Sequence, residues 1–153
     1  HFAIRRQRQM CIRDRFEDEK KYHRGLEVLC NKYDKSYYPK FKKWCDDYFF
    51  LKHRNEPRGV GGIFFDYLQT GDWGKDFEFV QGVGTYFHQF IKNTLIVLKD
   101  EEWNEEEKKI QSVKRSRYAE FNLLYDRGTK FGLETGGNVD AILMSMPPHA
   151  VWE

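Results

Sequence analysis

Most of the features that announce a function are scarce in this sequence. It has three cysteines, Cys11, Cys30 and Cys45. They form neither an even disulfide set nor a metal-ligand spacing. The simplest expectation is a reducing, cytoplasmic setting. Charge of one sign is also lacking: 26 basic residues face 24 acidic ones, a formal net of +2. No global field points to nucleic acid or to a membrane surface. The longest apolar run, Leu95 to Leu98, is far below the roughly 20 residues of a transmembrane helix. No stretch reads as a secretory signal, and no internal repeat is visible. Two glycine-rich segments, Gly59–Gly62 and Gly82–Gly84, fail the dinucleotide fingerprint. The first enters a strand-like run instead of leaving one, and the second lies inside a helical pattern.

What the sequence does have is aromatic residues, 17% of its 153 positions. Most should be core, because large rings bury the most area. The length suits one domain or part of one. Residues 1–15 carry five arginines and no clean period. They read either as a basic arm or as a non-matching leader arising from truncation or assembly, outside the fold.

From Phe16 onward, periodicity assigns the elements. Tyr22, Leu26, Leu29, Cys30 and Tyr33 recur at helical spacing, so Phe16–Tyr33 is expected to be a helix. A second helix follows Ser36, with Pro39 in its first turn and Tyr37, Phe41, Trp44, Cys45 and Tyr48 on its buried face. Gly59–Phe65 reads as a buried strand. Asp72 is placed to cap a long helix reaching about Lys99. Gly82 and Gly84 within it imply close packing or a break. Asn104 and Glu107 have the spacing of a capping pair that opens a further helix. Tyr118–Tyr125 and Ala141–Met146 read as strands, and Thr129–Leu133 as a short extended piece. Asp126–Gly128 and Thr135–Asn138 read as turns.

Three arginines, Arg54, Arg58 and Arg127, fall in or beside glycine-containing turns. Their planar guanidinium groups suit carboxylates. Two readings stand: an anionic ligand, or internal ion pairs with Glu56 and Asp126. His23 and His53 are candidates for metal ligation or acid–base work, against a role as hydrogen-bonded structural histidines. Cys30 and Cys45 read as core thiols. The residues alone imply a mixed α/β domain with an arginine-lined, glycine-rich anion site.

The stretch from Lys43 to Asp66, KWCDDYFFLKHRNEPRGVGGIFFD, resembles the signature of the oxygen-dependent coproporphyrinogen III oxidase family. It contains a Trp-Cys pair, an aromatic triplet, His-Arg, a Glu, Arg-Gly, Gly-Gly and Phe-Phe-Asp. Tyr118–Pro148 resembles the family's C-terminal segment. The resemblance implies an α+β fold, a large antiparallel sheet flanked by helices, with 16–153 as the C-terminal part of one domain whose N-terminal strands are missing. It implies oxidative decarboxylation of coproporphyrinogen III to protoporphyrinogen IX in haem biosynthesis. Molecular oxygen would be the co-substrate, with no flavin, haem or nicotinamide. It further implies a homodimer, with the segment from Tyr118 to about Met144 assigned to dimerisation. His23 and His53 match divalent-metal positions. Gly136, Gly137 and Asn138 match a substrate-contact turn, where many members carry Arg in place of Asn138. Arg54, Arg58 and Arg127 are the expected propionate partners. The family's proton-donor histidine falls N-terminal to Phe16, so the catalytic residue is unknown. The alternative is a non-catalytic tetrapyrrole- or anion-binding or dimerisation module.

Overall fold

The computed structural model describes residues 16–100 and 102–153. The expected leader, residues 1–15, lies outside the described residues. The chain forms two compact units.

One unit is drawn from the described residues of Arg15–Tyr48 and Val60–Glu101. It holds α1 (Phe16–Asn31), α2 (Tyr37–Tyr48) and α3 (Trp73–Leu98). Acidic Glu17, Asp18 and Glu19 occupy the first turn of α1, where the helix dipole favours negative charge. Asp34 closes the turn into α2 by accepting from the Ser36 backbone N–H at 2.7 Å. Asp72 caps α3 as expected, accepting from the Lys75 backbone N–H at 3.1 Å.

The expected faces of α1 and α2 meet α3 in a core of Cys30, Phe41 and Phe79, lined by Tyr37, Tyr38, Ile63, Phe65, Leu68 and Val83. On α3 the inward ring is Phe79, while Phe77 and Val80 are about half exposed. Burial pushes the Cys30 thiol up to about 11, which suits a core residue. α3 runs unbroken through both of its inner glycines. At Gly82 a Cβ would lie 3.2 Å from Leu29 Cδ1, so close packing on α1 accounts for that glycine.

The expected strand over Gly59–Phe65 is not one. The segment has no regular structure. Its side chains still alternate as a strand's would: Phe65 packs on Phe41 and Phe79, and Phe64 on Trp44 and Tyr48. The Phe64 backbone N–H donates to the Phe41 carbonyl at 3.1 Å. Among the described residues no neighbouring strand completes a ladder with it, and Gly61 takes a left-handed φ of 74°.

The second unit comprises Phe49–Gly59 and Glu102–Glu153 among its described residues. A short hairpin pairs β1 (Phe50–Leu51) with β2 (Glu56–Pro57), antiparallel, Phe50 opposite Pro57 and Leu51 opposite Glu56. Leu51 is fully buried. Then follow α4 (Glu105–Leu124), α5 (Arg127–Glu134) and α6 (Val139–Leu143). The Asn104–Glu107 pair forms the expected reciprocal capping box.

Here two strand expectations and one of a short extended piece fail. Tyr118–Tyr125 is the last two turns and C-cap of α4. The buried positions of α4 are Ser112, Ser116, Ala119, Glu120, Phe121 and Asn122. Only Phe121 among them is a large apolar residue, so the hydrophobic pattern hides the helical period. Thr129–Leu133 lies in α5, and Asp126 is the cap of that helix, accepting from the Thr129 backbone N–H at 2.7 Å. Ala141–Met146 begins in α6 and ends in a turn closed from the Met146 N–H to the Leu143 carbonyl at 2.9 Å. The fold is mixed helix and strand. The large antiparallel sheet is absent from the described residues, whose only ladder is the hairpin.

One close approach gives a test. The Tyr86 hydroxyl donates to the Tyr22 carbonyl at 2.9 Å. Its ring lies where a Cβ on Gly25 would be. Gly25→Ala must displace Tyr86 and is expected to destabilise the first unit by about 2–3 kcal/mol, an overpacking cost plus a lost hydrogen bond. Tyr86→Phe should cost only about 1 kcal/mol. Urea midpoints measure both, and equal midpoints for Gly25→Ala and the parent would contradict the packing argument.

Candidate functional site

The polar turn between β1 and β2 is built around a residue that sequence reasoning missed. Asn55 takes a left-handed φ of 55°, which folds the turn back against α4. There Glu120 is buried. A buried carboxylate is costly unless every lone pair finds a donor. Arg54 supplies a bidentate pair, Nε to Oε2 and an Nη to Oε1, both at 2.6 Å. His53 Nε2 lies 2.8 Å from Oε2. The nearby Trp152 side chain favours the ionised form as well, as the smallest of these influences. Arg54 is the largest cause, and together these donors hold the Glu120 carboxyl down from 4.5 to about 2, against the upward push of burial. The other imidazole nitrogen, Nδ1 of His53, lies 2.8 Å from the Tyr125 hydroxyl.

Two further arginines are organised by the same hairpin and helix. Arg117 Nε donates to Glu56, and its Nη1 to Ser116 Oγ at 3.0 Å. The Arg58 guanidinium lies over Phe49 at 4.0 Å, Phe121 at 5.1 Å and Tyr118 at 5.4 Å from the ring centroids. Cation–π attraction suits such a nest. The Arg58 backbone N–H donates to the Phe49 carbonyl at 3.0 Å. Thus the acids that sequence spacing suggested for these arginines are used elsewhere: Glu56 takes Arg117, and Asp126 caps α5.

Arg127 is exposed at the start of α5. Gly136, with φ of 72°, and Gly137 turn the chain between α5 and α6. The Gly137 N–H donates to the Gly132 carbonyl at 2.9 Å, and a Cβ on Gly137 would sit 2.9 Å from that same oxygen. Asn138 Oδ1 accepts from the Ala141 N–H at 3.1 Å, capping α6. The structure therefore brings His53, Arg54 and Arg58 onto one hairpin against α4, and puts Arg127 and Gly136–Asn138 on the α5–α6 segment of the same unit.

His23 belongs to the other unit, on α1. Its Nε2 lies 2.9 Å from the Val60 carbonyl and its Nδ1 3.2 Å from the Tyr38 hydroxyl. The implied metal does not fit these residues. Both histidines have both ring nitrogens engaged by protein groups. Among the described residues no group of three or more His, Cys, Asp and Glu could hold an ion. Glu120, Tyr125, Arg117 and Trp152 were not anticipated. The one visible signal was a glutamate inside the aromatic stretch YAEFNLLY.

The candidate site thus comprises guanidinium groups seated on a carboxylate and on aromatic faces, with an exposed arginine and a glycine turn on the α5–α6 segment. The chain belongs to the coproporphyrinogen III oxidase family, whose profile matches residues 14–153. Among curated relatives, the oxygen-dependent coproporphyrinogen-III oxidase of Rickettsia bellii (strain OSU 85-389) is 55% identical over 141 residues, covering 89% of this chain and 49% of that protein. The protein of the same name from Rickettsia rickettsii (strain Sheila Smith) is 56% identical over 133 residues, 84% of this chain and 46% of that protein. That from Rickettsia akari (strain Hartford) is 54% identical over 136 residues, 86% and 47%. The chain spans about half the length of the curated relatives it matches. No described helix is long and apolar enough to cross a membrane.

Glu120 yields a pH prediction. Its folded pKa is depressed, so its stabilisation is present above its ordinary 4.5 and is lost as pH falls toward about 2. The integrated effect is about 2–3 kcal/mol. Glu120→Gln should remove that acid dependence and destabilise the unit at neutral pH, because Arg54 loses its carboxylate. Urea midpoints from about pH 6 to 3 measure it. Parallel profiles for parent and variant would show that Glu120 is not the titrating group.

Proposed function

We propose that this chain forms the C-terminal half of an oxygen-dependent coproporphyrinogen III oxidase, with residues 16–153 as part of a single domain. The observation that carries the reading is identity above half, over 141 residues, with a protein of that name. The reaction converts two propionates of coproporphyrinogen III to vinyl groups. Each conversion releases carbon dioxide, one proton and two electrons, and molecular oxygen takes up the two electrons with that proton and one from solvent, leaving as hydrogen peroxide. The electron-rich pyrrole is itself reactive toward oxygen, so the protein's tasks are to bind, orient and exclude water. No flavin, haem or nicotinamide is required.

The substrate's four propionates call for cations and hydrogen-bond donors. Arg58 and Arg127 are the proposed ionic partners. Gly136, Gly137 and Asn138 are the proposed neutral contact turn. Arg54 is already matched by Glu120, so its part is to fix the turn that carries Arg58. The complete protein is proposed to be cytoplasmic and homodimeric, with the segment from Tyr118 to about Met144 at the dimer contact. Its fold would be a larger antiparallel sheet flanked by helices. A non-catalytic tetrapyrrole- or anion-binding or dimerisation module is the second reading.

Anaerobic titration of coproporphyrinogen III into the chain, followed by tryptophan fluorescence, tests binding. Admission of oxygen then tests turnover. Binding without turnover is expected of the half-enzyme, and turnover by the chain alone would contradict that status. In the complete enzyme, Arg58→Ala or Arg127→Ala should raise KM about tenfold each, the loss of one charge-assisted contact. Unchanged KM in both would remove these arginines from substrate binding.

A further inference from the structure

His23 and His53 lie in different units, yet their surroundings are alike. Each ring has an oxygen acceptor on Nε2 and a tyrosine hydroxyl on Nδ1. For His23 these are the Val60 carbonyl at 2.9 Å and Tyr38 at 3.2 Å. For His53 they are the Glu120 carboxylate at 2.8 Å and Tyr125 at 2.8 Å.

The chemistry of the partners fixes the proton. A carbonyl oxygen only accepts, and so does an ionised carboxylate. Nε2 must therefore carry the hydrogen in both rings. In the neutral ring Nδ1 is then the acceptor, and the tyrosine O–H donates into it. A metal-ligating histidine shows half of this pattern, since its second nitrogen donates to a carboxylate or carbonyl. The remaining lone pair would go to the ion. Here a tyrosine hydroxyl occupies it in both places.

We infer that His23 and His53 are tyrosine–histidine junctions: imidazoles with a proton fixed on Nε2, a tyrosine hydroxyl donating into Nδ1 of the neutral ring, and no lone pair offered to a metal ion. They are positioning residues. His23 joins α1 to Val60 and to Tyr38 on α2. His53 ties the β1–β2 turn to Glu120 and to Tyr125 at the end of α4. The tyrosine, not the imidazole, is what each junction presents onward, with its own proton already committed.

The inference does not depend on the proposed reaction, and its test uses no activity. Long-range proton–nitrogen NMR of the uniformly labelled chain at about pH 8, where an ordinary imidazole is neutral, reads the tautomer of each ring. His23 and His53 should each show a single Nε2-protonated tautomer. Exposed His88 and His149 should show averaging between tautomers. Tyr38→Phe should move the Nδ1 resonance of His23 alone, and Tyr125→Phe that of His53 alone, toward the position of an unbonded acceptor. Equimolar Zn2+, a strong imidazole binder, should leave both rings unmoved in the parent chain. An Nδ1-protonated ring, or a stoichiometric zinc-induced shift at either Nδ1 of the parent, would overturn the assignment. So would an Nδ1 resonance that ignores removal of its tyrosine.

Discussion

A single buried carboxylate sets the terms for the unit that carries the candidate site. Glu120 lies in a helix between Ala119 and Phe121, both buried. Ionised there, it costs several kcal/mol of hydration that only converging donors can offset. Arg54, His53 and Trp152 converge on it from the hairpin turn and from the C-terminal end of the chain. This requirement, more than the two-residue ladder, fixes the conformation of the turn. A ladder of two residues a side is too small to hold a hairpin unaided. The bidentate geometry of Arg54 adds direction as well as energy. Arg58 follows on the same hairpin. Its guanidinium rests on Phe49, Tyr118 and Phe121, two of which belong to the helix that carries Glu120.

The same arrangement explains what could be read in the sequence. Helices with large apolar residues at regular spacing were legible: α1 and α2 follow the stripes through Leu26 and Phe41, and α3 was legible as a helix although its inward ring is Phe79, with Phe77 and Val80 about half exposed. Caps were legible where a short polar side chain stood at a boundary, as at Asp72 and Asn104. The C-terminal part of α4 was not. Its buried positions are Ser112, Ser116, Ala119, Glu120, Phe121 and Asn122, of which only Phe121 carries a strong hydrophobic signal. The outward Leu123 and Leu124 are about half exposed and pull a pattern-based reading toward a strand. Burial there is decided by polar satisfaction in the folded chain, which hydropathy cannot register.

The apolar run Ile63–Phe65 fails differently. Its alternation correctly gives the side-chain partners, with Phe65 on the Phe41–Phe79 core and Phe64 on Trp44 and Tyr48. Alternation, however, is a property of extended backbone and not of sheet. A strand exists only if another strand accepts its hydrogen bonds, and that depends on distant chain. Arginine pairing was obscured for the same reason. Local spacing favoured Glu56 for Arg54 or Arg58, but pairs separated by more than sixty residues were made instead: Arg54 with Glu120 and Arg117 with Glu56.

Asn138 shows how fold and ligand demands meet in one side chain. The resemblance to the family suggests an arginine at this place in many members, where a cation would meet a propionate. Asn is among the best N-capping residues, and an arginine side chain has no acceptor to offer a helix N-terminus. In this chain the Oδ1 of Asn138 is used on the Ala141 N–H. Only the amide donors remain for an anion, without charge. On the proposed reading, a contact that is neutral here shifts the ionic part of carboxylate recognition onto Arg58 and Arg127. Of these, Arg58 has its guanidinium held on three rings, so little orientational freedom remains to be lost on binding. Arg127, exposed at the head of α5, keeps its freedom and with it the larger entropic cost. The two arginines are therefore unequal in kind: one preorganised by aromatic faces, the other recruited from solvent.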